Sequence, residues 1–145
     1  MIADHVTIVD RKPSPSEFEL LVRAVGFRGH DHAAVEIALT NSVFCACAEE
    51  GNDVVGVGRI VGDGAISLLL TNVMVRPSHQ RRGIGTMIVK ALCARVGRLP
   101  HKNIVLETLP EPGLAHFYKR LGFRASRKGA LGMTRWFNDE RAANS

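Results

Sequence analysis

The sequence has few of the features that mark membrane, secreted or metal-binding proteins. Its three cysteines cannot all pair and show no CxxC spacing, so neither a disulfide framework nor a zinc site is indicated. No apolar run approaches the roughly 20 residues that a membrane span requires. The first ten residues lack the apolar stretch of a signal peptide. We therefore expect a cytoplasmic protein with no membrane partner and no metal.

What is present is ordinary for a globular domain. The chain has 145 residues, of which 46% are hydrophobic and 23% are charged. That length is enough to bury a sizeable core without crosslinks, and the sequence contains no internal repeat or domain-sized linker. We expect one domain over residues 1–145, with a frayed tail at 138–145.

The charge is unevenly distributed along the chain. Residues 1–63 contain ten acidic and five basic side chains, whereas residues 64–145 contain four acidic and fourteen basic ones. No carboxylate lies between Asp63 and Glu107. Such a basic block indicates either an anionic partner, for example a phosphorylated small molecule or nucleic acid, or a solvated basic face.

The hydrophobic pattern predicts alternating strands and helices, and therefore an α/β or α+β fold. The predicted strands are His5–Asp10, Ser42–Glu49, Val54–Val61, Ala65–Val75 and Asn103–Glu107, with terminal strands from Phe123 onward and over Leu131–Phe137. The first predicted helix begins at Ser14 or Ser16 and ends before Gly26, and a second short helix ends near Thr40. Two further helices are predicted over Gly83–Val96 and Pro112–Leu121. The first helix has a predicted apolar face of Phe18, Leu20, Leu21, Val22 and Val25. The resulting sheet is antiparallel in its first half and contains a parallel junction.

The most informative segment is Val73–Thr86, with the sequence VMVRPSHQRRGIGT. A buried strand ends there, a short loop follows, and glycines open a helix. Free N–H groups and the positive end of the helix dipole face such a loop and favour an anion. Gly83 and Gly85 let the backbone approach a diphosphate closely, and Arg81 and Arg82 add positive charge. The segment therefore predicts an anion cradle, the alternative being a turn that the glycines merely tighten.

Two common phosphate-binding loops do not fit this chain. A Walker loop requires a lysine after its last glycine, but Gly85 is followed by Thr86. A Rossmann fingerprint requires a third glycine where Ile88 stands. Another glycine group, Gly56–Gly58 with Gly62, lies in a strand–turn–strand region and opens no helix. The sequence therefore indicates neither a loop that binds a nucleoside triphosphate nor one that binds a dinucleotide.

Two motifs resemble those of one known family. The segment V-x-P-x-x-Q-R-R-G-I-G resembles the acetyl-CoA signature Q/R-x-x-G-x-G/A of the GCN5-related N-acetyltransferases (GNAT). His116–Phe123 (HFYKRLGF) resembles that family's second motif, FYxxxGF. The motifs occur in the family's order with a predicted strand between them, and the order of elements fits across nearly the whole chain. Each motif alone has limited specificity, but the pair is specific.

The resemblance implies the GNAT fold, a mixed and mostly antiparallel sheet that splays at a parallel strand pair, with helices on both faces. It implies that acetyl-CoA lies in the splay, and that one backbone N–H beside the thioester acts as the oxyanion donor. The implied contacts of the pantetheine are Val73, Met74 and Val75. The implied contacts of the pyrophosphate are the amides of Arg81, Arg82, Gly83, Ile84, Gly85 and Thr86, and the second motif contributes Phe117 and Tyr118.

The implied reaction transfers an acetyl group from acetyl-CoA to the primary amine of a small molecule, directly within a ternary complex. The amine has a pKa of about 10 and arrives protonated, so a base is needed, and the leaving thiolate benefits from an acid. Tyr118, the chain's only tyrosine, matches the family's tyrosine and is the predicted acid. Glu107, at the end of the parallel strand, is the predicted base, with Glu111, His79 and ordered water as alternatives.

The remaining features support weaker interpretations. The loop Phe27–His32 contains two histidines and one aspartate, too few for a metal site, and the resemblance implies that it contacts the acceptor. Cys45 and Cys47 are expected to be small core residues, and Cys93 falls in an apolar helix. The alternative function is a GNAT-fold module that binds acyl-CoA without turnover. Nucleic-acid binding is disfavoured because the basic segments lack interleaved aromatics, and a homodimer is compatible with the resemblance.

Overall fold

A computed structural model describes residues 5–100, 103–106, 108, 112–126, 133 and 135 of the chain. Five strands form one sheet in the order β1-β2-β3-β4-β5. The strands are β1 (Val6–Val9), β2 (Phe44–Glu50), β3 (Asp53–Gly62), β4 (Leu68–Val75) and β5 (Val105–Leu106). The helices are α1 (Pro15–Ala24), α2 (His32–Thr40), α3 (Ile84–Val96) and α4 (Pro112–Arg120).

The pairing of these strands confirms the predicted fold class. The first four strands pair antiparallel in succession. The last pair is parallel, with Leu69 opposite Val105 and Leu70 opposite Leu106. The helix α3 supplies the crossover that a parallel connection requires. The result is a mixed sheet, mostly antiparallel, with a parallel pair at the end of its described part.

Helices cover both faces of the sheet, as predicted. One face packs against α3, through the buried side chains Val55, Ile60, Leu68, Leu70, Ile84, Ile88, Val89 and Leu92. The opposite face packs against α1 and α2, through Phe18, Leu21, Val22, Val35, Leu39, Cys47, Val57 and Met74. Burial of each large aliphatic side chain contributes roughly 1.5–3 kcal/mol, so these two layers supply most of the driving force for folding.

The first helix begins at one of the two predicted caps. The side chain of Ser14 accepts from the backbone N–H of Glu17, and the Glu17 carboxylate accepts from the backbone N–H of Ser14 in return. The prediction that Leu20 belongs to the apolar face is wrong, because its side chain is 64% exposed. Each helical residue advances by about 100°, which places Leu20 on the side opposite Phe18 and Val22.

The strand β4 begins three residues later than the predicted Ala65. The Asp63 carboxylate accepts from the backbone N–H groups of Ala65, Ile66 and Ser67 at 2.7–3.0 Å, and this holds the segment in a turn. Gly62 has a φ of +139°, and a Cβ there would lie 1.8 Å from the Ser67 carbonyl oxygen.

Two other predicted strand limits differ from the structure. Of the four described residues predicted for β5, Val105 and Leu106 form the strand, whereas Asn103 and Ile104 lie outside it. Phe123 does not start a strand, because its N–H donates to the Tyr118 carbonyl and so belongs to the cap of α4. Leu131–Phe137 lies mostly outside the described residues.

Two glycines in β3 let α3 pack directly on the sheet. A Cβ on Gly58 would lie 2.6 Å from Ile88 Cγ2 and 3.0 Å from Leu92 Cδ1. A Cβ on Gly56 would lie 2.9 Å from Ile88 Cδ1. These glycines are therefore packing residues of a central strand, in agreement with the rejection of a dinucleotide loop there.

We predict that Gly58→Ala destabilises the protein by about 1–3 kcal/mol, because the added methyl overpacks the contact between β3 and α3. The measurement is the free energy of unfolding from urea titration. Gly113→Ala is the matched control, since a Cβ on Gly113 meets nothing within 4 Å and this glycine is helical. The control should leave stability unchanged or raise it by up to about 1 kcal/mol. Equal stability of the two variants would contradict the packing argument.

Candidate active site

The segment between β4 and α3 is a tight turn with two left-handed residues. A 3₁₀ turn at Pro77–His79 leaves the strand, and Arg81 (φ +63°) and Gly83 (φ +80°) follow. The Gln80 side-chain amide donates to the Val75 carbonyl oxygen at 2.9 Å, which ties the turn to the last residue of β4. Gly83 is the N-cap of α3, and a Cβ there would meet nothing within 4 Å. Position 83 therefore favours glycine because of its left-handed backbone, and not because a side chain would lack space.

This turn presents positive charge and uncapped amides to solvent. No side chain caps α3, and its first turn contains no acidic residue. The side chains of Arg81 and Arg82 are exposed, and in the described part of the chain neither makes a hydrogen bond or an ion pair within 4 Å. Free helix amides, the helix dipole and two exposed guanidinium groups together favour an anion at this turn. The charge of Arg82 also reaches the Glu50 carboxylate, whose pKa is lowered by a hydrogen bond with His79 and further by Arg82.

The second half of β4 has one open edge beside this anion site. The strand β5 pairs only with Leu69 and Leu70. Beyond them, Thr71, Met74 and Val75 have ladder partners in β3, and no described residue pairs with Thr71–Val75 on the opposite side. Backbone groups alternate sides along a strand, and the N–H of Arg76 donates to the Val55 carbonyl on the β3 side. Val73 and Val75 therefore present their backbone groups toward a gap that opens past the end of the parallel pairing, whereas those of Met74 face Val57 in β3.

The predicted second motif forms a specific helix cap. In α4 the N–H of Gly122 donates to the Lys119 carbonyl, and the N–H of Phe123 donates to the Tyr118 carbonyl. Gly122 has a φ of +93°. This is the Schellman arrangement, with the expected apolar contact between its ends, since the Tyr118 and Phe123 rings lie 5.8 Å apart. The glycine and second phenylalanine of the motif therefore fix the end of the helix that carries its tyrosine.

The two motifs meet at the start of α3. A Cβ on Gly85 would lie 3.4 Å from Phe117 Cζ and 3.9 Å from Val75 Cγ2. The amino end of α3, the aromatic side of α4 and the last residue of β4 thus converge at one place. The structure therefore brings together the predicted binding residues of both motifs, although Ile84 is fully buried in the core and offers only its backbone.

Tyr118 is half-buried between two phenylalanines. Its ring contacts Phe117 edge-on at 4.9 Å, and burial raises the pKa of its phenol above the ordinary value. It lines a cavity of about 630 Å³ together with Leu106 and Thr108, at the carboxyl end of β5. The phenol is therefore neutral at physiological pH and retains a proton to donate.

The structure describes one of the three candidate bases, His79. Glu107 and Glu111 lie outside the described residues. The Nε2 atom of His79 lies 3.2 Å from the Glu50 carboxylate and its Nδ1 atom lies 2.7 Å from the Ser78 hydroxyl. Glu50 ends β2, two strands away from β4 in the sheet. His79 therefore has both ring nitrogens engaged on the side away from the open edge.

The loop Phe27–His32 is held by contacts of its own. The Nδ1 atom of His30 lies 2.9 Å from the Glu19 carboxylate, and Asp31 caps α2 by accepting from the N–H of Ala34. Among the described residues no cluster of three or more His, Cys, Asp or Glu side chains is arranged to hold a metal ion.

The cysteines have the environment expected of core residues. Cys45 and Cys47 are buried, and burial raises the pKa of the Cys47 thiol to about 12. Burial also raises the pKa of the Cys93 thiol. All three are protonated at neutral pH, which argues against a thiolate nucleophile.

Sequence reasoning missed one pair of residues beside the open edge. Arg59 in β3 donates from Nε to the Asn72 side-chain oxygen at 2.7 Å, and Asn72 is left-handed with a φ of +51°. The available signal was an asparagine inside the apolar strand β4, because asparagine is depleted in strands.

Comparisons with known proteins agree with this geometry. A family model described as an acetyltransferase (GNAT) domain matches residues 41–125, more than half of the chain. The chain therefore belongs to the GNAT family of acetyltransferases, which confirms the resemblance.

The chain is also similar to individual members of that family. It is 33% identical over 112 residues to GCN5-related N-acetyltransferase 1, chloroplastic, of Arabidopsis thaliana, a match that covers 76% of the chain and 56% of that relative. The chain thus spans little more than half the length of this curated relative.

Solved structures share the fold over almost the whole chain. A GNAT family acetyltransferase of Streptococcus pneumoniae is 29% identical with a TM-score of 0.81, covering 92% of this chain and 99% of its own. A GNAT family acetyltransferase of Elizabethkingia anophelis, solved with acetyl-CoA bound, has a TM-score of 0.66 at 21% identity, covering 93% and 90% of the two chains.

No helix among the described residues has the length and apolar character to cross a membrane.

We predict that the phenol of Tyr118 titrates above pH 10 in the folded protein, because burial disfavours the phenolate. Since Tyr118 is the only tyrosine, its ultraviolet absorbance change on ionisation can be followed directly. The unfolded protein in urea should titrate at about 10, the ordinary value. The folded state holds this proton more tightly than the unfolded state. The contribution of Tyr118 to the free energy of unfolding is therefore complete below pH 10, and it is lost as the pH rises through the folded pKa. A native midpoint at or below 10 would contradict the described burial.

Proposed function

We propose that this protein is an acetyl-CoA-dependent N-acyltransferase, which moves an acetyl group to the primary amine of a small molecule by direct transfer. The observation that carries the proposal is the open edge of β4, which runs into the uncapped amino end of α3. One end of this continuous surface suits an extended amide chain, and the other end suits a diphosphate. Acetyl-CoA has these two chemical parts in the same order.

The proposed binding contacts follow from the described geometry. The segment Val73–Val75 would pair with the pantetheine as an added strand through the backbone groups of Val73 and Val75, because this edge has no described partner. The amides of the turn and the first turn of α3 would bind the pyrophosphate. The side chains of Arg81 and Arg82 would add charge that no described acidic side chain neutralises within 4 Å.

One group would transfer a proton to the leaving thiolate, and another would stabilise the charge on the thioester carbonyl. Tyr118 is a neutral phenol beside the carboxyl end of β5, so it would donate a proton to the leaving thiolate. A backbone N–H on the open side of β4, that of Val73 or Val75, would stabilise the oxyanion that forms on the thioester carbonyl. The side chains of both motifs would position acetyl-CoA for direct attack by the amine within a ternary complex.

The base that deprotonates the amine is proposed from chain position. Glu107 directly follows Leu106, the last residue of β5, which is the strand that pairs with β4 just before the open edge. Its competitors are Glu111 and ordered water, whereas His79 is directed toward β2. A Glu107→Gln variant that keeps its full rate at pH 7 would assign the task to one of those competitors.

We predict that acetyl-CoA binds with micromolar affinity in calorimetric titration, and that ATP and NADH do not match it. Arg82→Glu should weaken acetyl-CoA binding at least tenfold, because the variant places a carboxylate beside the pyrophosphate. The matched control is Arg98→Glu. Arg98 is equally exposed and lies just after the carboxyl end of α3, so this variant makes the same charge change away from the proposed site.

The outcomes of this titration are distinct. Absence of acetyl-CoA binding would overturn the proposed function entirely. An equal effect of the two variants would show that net charge, rather than the turn, governs affinity. Binding without thiol release in the presence of primary amines such as spermidine, phenylethylamine and glycinamide would favour a module that binds acyl-CoA without turnover.

We predict that Tyr118→Phe lowers kcat by about 10- to 10⁴-fold, the range for loss of an acid–base group. The variant removes one hydroxyl and keeps the ring contacts with Phe117 and Phe123, so the affinity for acetyl-CoA should change little. The measurement is thiol release at saturating acetyl-CoA, with Phe123→Leu as a control that perturbs the ring cluster and keeps the hydroxyl. An unchanged kcat in Tyr118→Phe would remove this residue from catalysis.

A further inference from the structure

The strand β4 contains a bulge beside the proposed oxyanion donors. Val57 pairs with Met74, but Arg59 pairs with Thr71, so one residue of β3, Gly58, faces two residues of β4. One of those two residues is Asn72, whose φ of +51° is left-handed. An extra residue in this conformation disrupts the ladder locally and changes the direction of the neighbouring backbone groups. The bulge therefore determines how the amides that follow Asn72 are presented.

One arginine holds this bulge. The Nε atom of Arg59 donates to the Asn72 side-chain oxygen at 2.7 Å. Its Nη1 atom donates to the Ser42 hydroxyl at 3.1 Å and to the Ala38 carbonyl at 3.3 Å. The guanidinium also lies 6.0 Å from the centre of the Phe18 ring. A single side chain thus connects the bulge of β4 to both helices on that face.

The environment of Arg59 is unusual for a structural arginine. Burial lowers the pKa of its guanidinium, and no described carboxylate lies within 4 Å of it. All of its described hydrogen-bond acceptors are neutral. Removing a cation from water without an anionic partner costs free energy. Neutral side chains would therefore join the sheet to α1 and α2 at a lower cost in free energy. The planar donor fork, however, fixes several acceptors at once in a set geometry.

The geometry points to Arg59 as a positioning residue for acyl transfer, acting through Asn72. Arg59 holds Asn72 in its left-handed conformation, and the bulge then aims the following backbone N–H at the thioester carbonyl of acetyl-CoA. This inference rests on the proposed function, because it assumes that acetyl-CoA binds along β4. It predicts that loss of the Arg59–Asn72 contact impairs polarisation of the carbonyl while the affinity for acetyl-CoA is retained.

The test uses the full chain and acetyl-CoA labelled with ¹³C at the thioester carbonyl. Binding to the wild-type protein should displace the ¹³C resonance downfield, because a hydrogen bond polarises the carbonyl. In Asn72→Ala and in Arg59→Met the resonance should return toward its value in free acetyl-CoA, with Kd within about threefold of wild type. The kcat of both variants should fall about 10- to 100-fold, as expected when a reacting group is misplaced by about 1 Å.

Arg59→Met, Asn72→Ala and the double variant form a double-mutant cycle with the wild-type protein. Because both substitutions remove the same contact, the double variant should lose no more kcat than the more impaired single variant. Asn72→Asp should restore the resonance and the rate, since aspartate also adopts the left-handed conformation and accepts from the same guanidinium. If Arg59→Met fails to fold, Asn72→Ala still tests the inference, because it leaves Arg59 with its contacts to Ser42 and Ala38.

Arg95→Met is the control for a purely structural arginine. The Arg95 guanidinium lies 4.1 Å from the centre of the Phe44 ring and bonds to Asp10, in a part of the sheet remote from β4. This variant should lose stability and leave the carbonyl resonance of bound acetyl-CoA unchanged.

The possible failures are distinguishable. No binding of acetyl-CoA to the wild-type protein overturns the proposed function, and the inference with it. Binding with a carbonyl resonance and kcat that Asn72→Ala leaves unchanged overturns the inference alone. A loss confined to the affinity for acetyl-CoA, with the resonance and kcat retained, also overturns it.

Discussion

The direct packing of α3 on β3 is the constraint on which the rest of the site depends. Gly56 and Gly58 allow Ile88 to approach the strand closely, because any larger residue would occupy the space of its side chain. This contact fixes the distance between helix and sheet, and therefore where the amino end of α3 lies relative to the end of β4. The anion site, the open edge and the contact between Gly85 and Phe117 all depend on that placement.

Backbone strain is concentrated in the same region. Among the described residues, Asn72 and Arg81 are the non-glycine residues with positive φ, and both lie between the middle of β4 and the start of α3. Such conformations cost free energy, and they persist where surrounding contacts determine them. Asn72 has the contact with Arg59, and the Arg81 turn is held by Gln80 on the Val75 carbonyl. The fold thus concentrates its unfavourable conformations beside the backbone amides that we propose to face acetyl-CoA.

Much of the site could be predicted from the sequence, because its motifs are local. The turn at 80–85 and the cap that ends at Phe123 depend on glycines and on neighbours within a few residues. The contact between Arg59 and Asn72 could not be predicted in this way, because thirteen residues separate the partners. Leu20, by contrast, could have been placed from the sequence, because the advance of about 100° per residue puts it on the side opposite Phe18 and Val22.

By itself, the sequence determined the order of strands and helices, the position of the glycine turn and the pairing of the two motifs along the chain. These properties follow from interactions between near neighbours, whose geometry the backbone dihedral angles set. Only the tertiary structure decided that β4 carries a bulge, that His79 is turned toward Glu50, and that Phe117 meets Gly85. Each of these depends on the registry of the sheet and on the depth at which a helix packs, and both result from side chains distant in the sequence.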